Sequence, residues 1–236
     1  MTDVIFRDLS GMAEFRAAED LQRTVWGAGD MPDPADLMMV IQAEGGLVGG
    51  AFVDGRLVGY VFGFPTRNPQ VQHSHRLAVL PQARGLHLGL RLKLYQRDWA
   101  LRHGITRIRW TFDPLRPLNA ALNIHRLGAT ANTYLPDYYG EMAGINGGLA
   151  SDRLLVDWDL ADPLVTSLAE GNRRQPRQGV PLPLTLPADL ETLTRDAPDH
   201  AQTLRLELRA ALQQAFAKGR RIVDFDRSLS QYRLQG

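Results

Sequence analysis

His73-Ser74-His75-Arg76-Leu77-Ala78-Val79-Leu80-Pro81-Gln82-Ala83-Arg84-Gly85-Leu86-His87-Leu88-Gly89-Leu90 is the stretch on which the reading of this chain turns. A short apolar strand runs into a proline. A glycine-punctuated turn follows, opening a helix whose residues Leu88, Leu92, Tyr95 and Trp99 recur at helical spacing. Strand, turn and helix in that order leave the first backbone N–H groups of the helix without intrahelical partners, and such groups hold anions, phosphate above all. The turn has no Gly-Lys-Ser/Thr, so it is not the nucleotide P-loop, and no acidic residue stands about twenty positions on, as a dinucleotide site requires. What remains is an anion cradle of another kind. An ordinary strand-to-helix turn with a glycine for packing gives the same pattern, and the flanking segments bear on the choice.

Upstream, Val4-Ile5-Phe6-Arg7 reads as a strand. Residues 12–26 read as an amphipathic helix with Phe15, Leu21, Val25 and Trp26 on its apolar side, and a second helix is predicted over 36–44, capped by Asp33 or Asp36. Leu47–Val53 and Arg56–Phe64 flank Asp54-Gly55, a pair that tolerates positive φ at both positions and so predicts a hairpin. Downstream, the pattern predicts strand 71–79, helix 88–103, strand 107–112, a helix near 117–127 and strands near 130–135 and 152–160. The order is β-α-α-β-β-β-α-β-α-β-β. Residues 161–179 include Asn172-Arg173-Arg174-Gln175-Pro176-Arg177-Gln178-Gly179, polar, basic and turn-rich, and read as a linker or mobile loop. Beyond it, Val180–Leu186 is extended, Leu204, Leu208, Leu212 and Ala215 mark a helix face, and Ile222-Val223-Asp224-Phe225 alternates like a strand. Residues 180–236 are too few for a confident independent core and are expected to pack on the main domain, 1–160.

The 236 residues are 44% hydrophobic, enough for a packed core, and 27 basic against 26 acidic side chains leave a net charge of +1. That balance implies no nucleic-acid partner. With no cysteine, disulfides, thiolate metal sites and a cysteine nucleophile are excluded. No apolar run approaches the ~20 residues of a membrane span, and the start shows no signal-peptide pattern, so the expectation is a cytoplasmic protein with no membrane partner.

His73 and His75 share a strand face by the two-residue repeat, and neutral imidazole is suited to accept a proton near neutrality. A satisfied pair of strand histidines fits the same spacing, and so does a weak metal site joined by His125 or Asp113, although no His-Glu-x-x-His helix accompanies it. Asp113, at a strand end before Pro114, fits either a substrate-amine or proton-relay role or an ordinary Asp-Pro turn. Tyr134, Tyr138 and Tyr139 offer phenols. Arg84, Arg91, Lys93, Arg97 and Arg102 read as a solvated helix exterior, except Arg84, which is placed to meet a phosphate.

The Arg84-Gly85-x-x-x-Gly89 turn after a strand resembles the acetyl-CoA motif of the GNAT acyltransferase superfamily. So does Trp110-Thr111-Phe112-Asp113-Pro114-Leu115, followed by Asn119-Ala120-x-x-Asn123 and Leu127-Gly128-Ala129. The resemblance covers residues 1–160. Together with His73-Ser74-His75, Leu92 to Arg97 and Tyr138-Tyr139-Gly140, it resembles a bacterial branch with a C-terminal extension like 180–236, some of whose members are linked to N-acylation, including N-succinylation, of amino acids. It implies an α/β (α+β) fold with a mixed, mostly antiparallel central sheet flanked by helices and a small C-terminal α/β extension.

It also implies acetyl-CoA or another acyl-CoA as co-substrate, with no metal, and a small amine that attacks the thioester directly. Its pyrophosphate would lie on Arg84, Gly85, Leu86, His87, Leu88, Gly89 and Leu90, and its pantetheine along Leu77, Ala78 and Val79. Asn119 or Asn123 would contact pantetheine or substrate, with His75, Asp113 and Tyr139 as the catalytic candidates. The sequence departs from the family pattern twice. His87 replaces the middle cradle glycine, and Ile124 stands where many members carry a tyrosine acid. Those departures keep a non-catalytic acyl-CoA-binding or regulatory protein as the alternative; a metal-dependent hydrolase ranks below both. Whether the chain forms a homodimer through an edge strand is left open.

Overall fold

The hairpin forms as its turn residues dictate: Asp54 and Gly55 take φ of 49° and 75° and join β2 (Leu47–Val53) to β3 (Arg56–Pro65). The structure, a computed structural model, describes residues 3–27, 29–140, 148–174 and 178–236; residues 1, 2 and, within the expected linker, 175–177 lie outside the described residues. The chain divides into two units, Met1–Arg109 and Trp110–Gly236.

In the first unit β1 (Ile5–Asp8), β2, β3 and β4 (Val71–Val79) are successive antiparallel neighbours. The start of β5 (Arg107–Phe112) runs parallel to β4, with Val71–His73 opposite Arg107–Arg109. Helices α1 (Gly11–Trp26) and α2 (Ala35–Ala43) cover one face, where Leu9, Phe15, Ala18, Leu21, Met38, Val48, Phe62 and Ala78 form a buried cluster. Helix α3 (Leu88–Arg102) covers the other, and Gly49 lacks a side chain because a Cβ there would lie 2.7 Å from the Tyr95 ring. Neither Asp33 nor Asp36 caps α2 as predicted. Its N-cap is Pro34, and the N–H of Ala35 donates instead to Glu19 of α1 at 2.9 Å.

β4 carries one residue more than β3. Phe62 faces Arg76 and Gly63 faces Ser74, so His75 is a bulge. The histidines share a face as expected, but beyond the bulge plain alternation fails: Arg76 and Ala78 pair with Phe62 and Tyr60, and Leu77 and Val79 turn the other way.

In the second unit the strands β7 (Arg153–Asp159), β6 (Thr130–Leu135), β9 (Arg221–Asp226), β10 (Gln231–Gln235) and β8 (Val180–Pro181) are neighbours in that order, every pair antiparallel. The C-terminal segment therefore adds strands to β6 rather than forming a sheet of its own. The expected linker holds a helix, α5 (Pro163–Ala169), because Asp162 accepts from the N–H groups of Leu164 and Val165 and Pro163 fits the first turn. Asp189 caps α6 (Leu190–Asp196) in the same way, and α7 (Pro198–Ala217) buries Leu208, Leu212 and Ala215, as the sequence predicts. The helix near 117–127 is α4 (Pro117–Ala120) continued by a π-helical turn, Ala121–Arg126.

Candidate functional site

The cradle follows from backbone geometry in the first unit. After a single turn of 3-10 helix at Pro81–Ala83, Gly85 takes φ +95°, where an L side chain is strained, and a Cβ there would meet nothing within 4 Å. His87 also sits in the left-handed region, φ 53° and ψ 30°, and serves as the N-cap of α3 with its ring exposed. The N–H of Arg91 closes onto the carbonyl of His87, which leaves those of Leu88, Gly89 and Leu90 as the first-turn donors of α3. Arg84 is exposed beside them. The residue that departs from the family glycine thus keeps the conformation a glycine would take.

The β4 backbone adds polar groups of its own. The N–H of Leu80 donates to the carbonyl of Val58 at 2.9 Å, which makes 80 and 58 a hydrogen-bonded pair. Antiparallel ladders alternate, so Ala78 and Arg76 direct their backbone groups at β3, whereas Leu77 and Val79 direct theirs away from it.

On the α1 and α2 side of β4, His73 and His75 lie with ring centroids 6.2 Å apart. His73 stacks on Phe64 at 4.9 Å, and burial, with help from the neighbouring His75 and Lys93, lowers its pKa to about 4. It is neutral at pH 7. His75 remains partly open and brings Nε2 to 3.3 Å from Oδ1 of Asp33. Arg76 donates to Asp30 at 2.5 Å and to the carbonyl of Met31 at 3.0 Å, with its guanidinium 4.7 Å from the Trp26 ring. It ties the segment between α1 and α2 to the strand.

Sequence reasoning missed the opposite side of β4. Lys93 was expected on a solvated face but is 3% exposed; its Nζ donates to Ser74 Oγ at 3.1 Å and Gln96 Oε1 at 2.8 Å. Gln96 in turn donates to Gln72 at 2.6 Å. Burial drives the Lys93 pKa well below its ordinary value. The signal was present in the sequence: Gln72 and Ser74 share a strand face, and Lys93 and Gln96 a helix face.

In the second unit Asp113 is held by the chain itself. Its two oxygens accept from Nη1 and Nη2 of Arg205 at 2.6 and 2.8 Å, and Oδ1 also accepts from the N–H of Leu115, the Asp-Pro turn reading. A carboxylate clamped by a fully buried guanidinium anchors the chain at this strand end. Tyr139 is half-exposed, its hydroxyl 3.1 Å from Thr111 Oγ1 and its ring 5.2 Å from the Arg153 guanidinium. Asn119 is partly exposed on α4, Asn123 is buried in the π-helical turn, and Ile124 is fully buried. Arg174, from the expected linker, caps that turn by donating to the carbonyls of Ile124 and His125 at 3.1 and 2.6 Å. Among the described residues no group of three or more His, Cys, Asp or Glu could hold a metal ion, and no helix is long and apolar enough to cross a membrane.

Residues 13–129 match the family model described as the acetyltransferase (GNAT) family. No curated protein matches the sequence. Among solved structures, the chain is similar to the ribosomal-protein-S18-alanine N-acetyltransferase of Escherichia coli at 16% identity and a TM-score of 0.56, over 67% of this chain and 94% of that one. An aminoglycoside 6'-N-acetyltransferase of Enterococcus faecium is similar at 17% identity and a TM-score of 0.51, over 66% and 97%. An aminoglycoside 6'-N-acetyltransferase complexed with coenzyme A is similar at 18% identity and a TM-score of 0.52, over 66% and 97%. At these identities the likeness shows the fold, and about a third of this chain lies outside it.

Proposed function

Starting from a chain that carries a GNAT acetyltransferase domain at residues 13–129, we propose that it transfers an acyl group, acetyl or succinyl, from coenzyme A to the amine of a small molecule such as an amino acid. The observation that carries this reading is the cradle: three first-turn N–H groups of α3 behind two residues of positive φ, at the end of a strand whose Leu77 and Val79 keep their backbone groups free of β3. The pyrophosphate lies on Gly85–Leu90 with Arg84 beside it, where donors and helix dipole both favour negative charge. The pantetheine runs along Leu77–Val79, whose amides also polarise the thioester carbonyl.

His75 is the base. It takes a proton from the substrate ammonium, and the freed nitrogen lone pair forms a bond to the thioester carbon. The C–S bond breaks with its electron pair going to sulfur, and the nitrogen, which still carries one proton more than an amide, passes it through water to the departing thiolate. The products are an amide and free coenzyme A, with no covalent enzyme intermediate.

Calorimetric titration with acetyl-CoA, succinyl-CoA and free coenzyme A, followed by mass detection of products from a pooled amino-acid panel, tests the reading. Micromolar binding and one new acylated amine are expected. Gly89→Trp blocks the first turn of α3 and is expected to abolish coenzyme affinity in a folded protein; undiminished binding overturns the phosphate assignment. One observation favours the second reading, a non-catalytic acyl-CoA-binding protein: Ile124 is fully buried where many family members place an acid. That reading predicts binding with no product from any amine.

A further inference from the structure

Asp33 is free of the tasks its position would assign it. The cap of α2 is supplied by Glu19. The guanidinium of Arg76 makes its close contact with Asp30, and the approach of its Nε to Asp33 Oδ2 is 3.3 Å without a hydrogen bond, so that oxygen has no hydrogen-bond partner. Yet Asp33 is held from two sides. Its N–H donates to Gln22 Oε1 at 2.8 Å and its carbonyl accepts from Gln22 Nε2 at 3.3 Å, and Gln22 is fully buried in α1. A backbone fixed this firmly, with a carboxylate released from capping, aims Oδ1 at Nε2 of His75.

We propose that Asp33 is the positioning residue for His75: it accepts a hydrogen bond from Nε2–H, leaves Nδ1 as the nitrogen that receives the proton of the acceptor amine, and stabilises the imidazolium that results. This rests on the reading of His75 as the base. The bulge serves the same end. It seats the His75 ring beside Phe62 and Phe64, 5.8 and 5.7 Å away, so that the ring meets both phenylalanines and, at Nε2, Asp33. The other charged or titratable groups around the pair are Asp30 in the same segment, Arg76 and His73 on β4, Tyr60 on β3 and Lys93 behind the strand.

The test uses the full chain and the amine found above. Asp33→Asn is expected to lower kcat about tenfold with KM for the acyl-CoA unchanged, and to move the acid limb of the rate profile to lower pH. Asp33→Glu restores part of the rate. In a His75→Gln background Asp33→Asn costs nothing further; equal costs in both backgrounds mean that Asp33 acts on the fold alone and overturn the proposal. A wild-type acid limb in folded Asp33→Asn overturns it as well.

Wild-type turnover by His75→Gln overturns the base assignment instead. The contact itself is then decided by NMR titration of the histidine rings in the full chain. A His75 midpoint that falls on Asp33→Asn, with that of His73 in place, retains the Asp33–His75 pair, and an unmoved midpoint removes it.

Discussion

The two units solve the same problem, polar groups in an interior, by opposite means. Around β4 the buried polar residues are neutral or nearly so: Gln72, Ser74, Gln96 and a lysine whose charge burial disfavours, joined by hydrogen bonds. In the second unit the interior is held by arginine–carboxylate pairs: forks of Arg205 on Asp113 and of Arg209 on Asp152, and Nε of Arg174 beside Asp224, which His125 also meets. A neutral network costs little desolvation but fixes little charge in place. A fork fixes geometry strongly but leaves a stranded ion if one partner goes. The first unit accordingly keeps unspent donors at the start of α3, while the second commits its charges to itself.

Breaking a fork should have the largest effect. Arg205→Met takes away the guanidinium that clamps both Asp113 oxygens, leaving the Leu115 N–H bond, and is expected to cost about 3–5 kcal/mol in urea unfolding, with most of it recovered when Asp113→Leu is added. Failure of the second change to recover stability would mean that the fork, not the stranded charge, was the stabilising element.

Acid separates the units next. His73 is neutral in the fold because burial lowers its pKa from 6.5 to about 4, so protons favour the unfolded chain. Its contribution is complete above pH 6.5 and is lost as pH falls from 6.5 to 4, about 2 kcal/mol after allowance for partial exposure. Asp152 and Asp224 respond later. Burial pushes both carboxyls up, but Arg209 and the Tyr134 hydroxyl on the one, and His125 and Arg174 on the other, more than offset it and hold them below 3.8. Their stabilisation is present above that value and disappears as pH falls beneath it. Hydrogen exchange across pH 7 to 3 should therefore loosen the amides around β4 before those of β6, β7 and β9.

Lys93→Met should have the smallest effect, under about 1.5 kcal/mol at pH 7, because the lost hydrogen bonds offset the relief of a buried amine. The measurement that sharpens the contrast is its pH dependence. Burial lowers the folded lysine's pKa below the 10.5 of the unfolded chain, so wild-type stability climbs with pH through the window that ends at 10.5, and that climb is absent in the variant.

How much of this was legible beforehand differs by distance along the chain. The strand, turn and helix from 71 to 102 depend on neighbours within a few positions, and alternation and helical spacing mark them. Asp33 looked like a cap because capping is decided locally, but Glu19 reached across from α1 and took the task. Alternation cannot announce a bulge, so the faces of Arg76 to Val79 were hidden by the one extra residue. Helix α5 was written in Asp162-Pro163 but lay beside turn-rich sequence that masked it. Asp113 pairs with a residue in α7, a relation that no window of sequence contains.

The bulge in β4 also says how the histidine came to be separable from the fold. On both sides of position 75 the ladder with β3 keeps its alternation, Arg76 on one face and Ser74 on the next, as though the two were adjacent. A chain shortened by that residue would keep each remaining side chain on its present face and close an unbroken ladder. The sheet with this imidazole and the sheet without it differ by one codon.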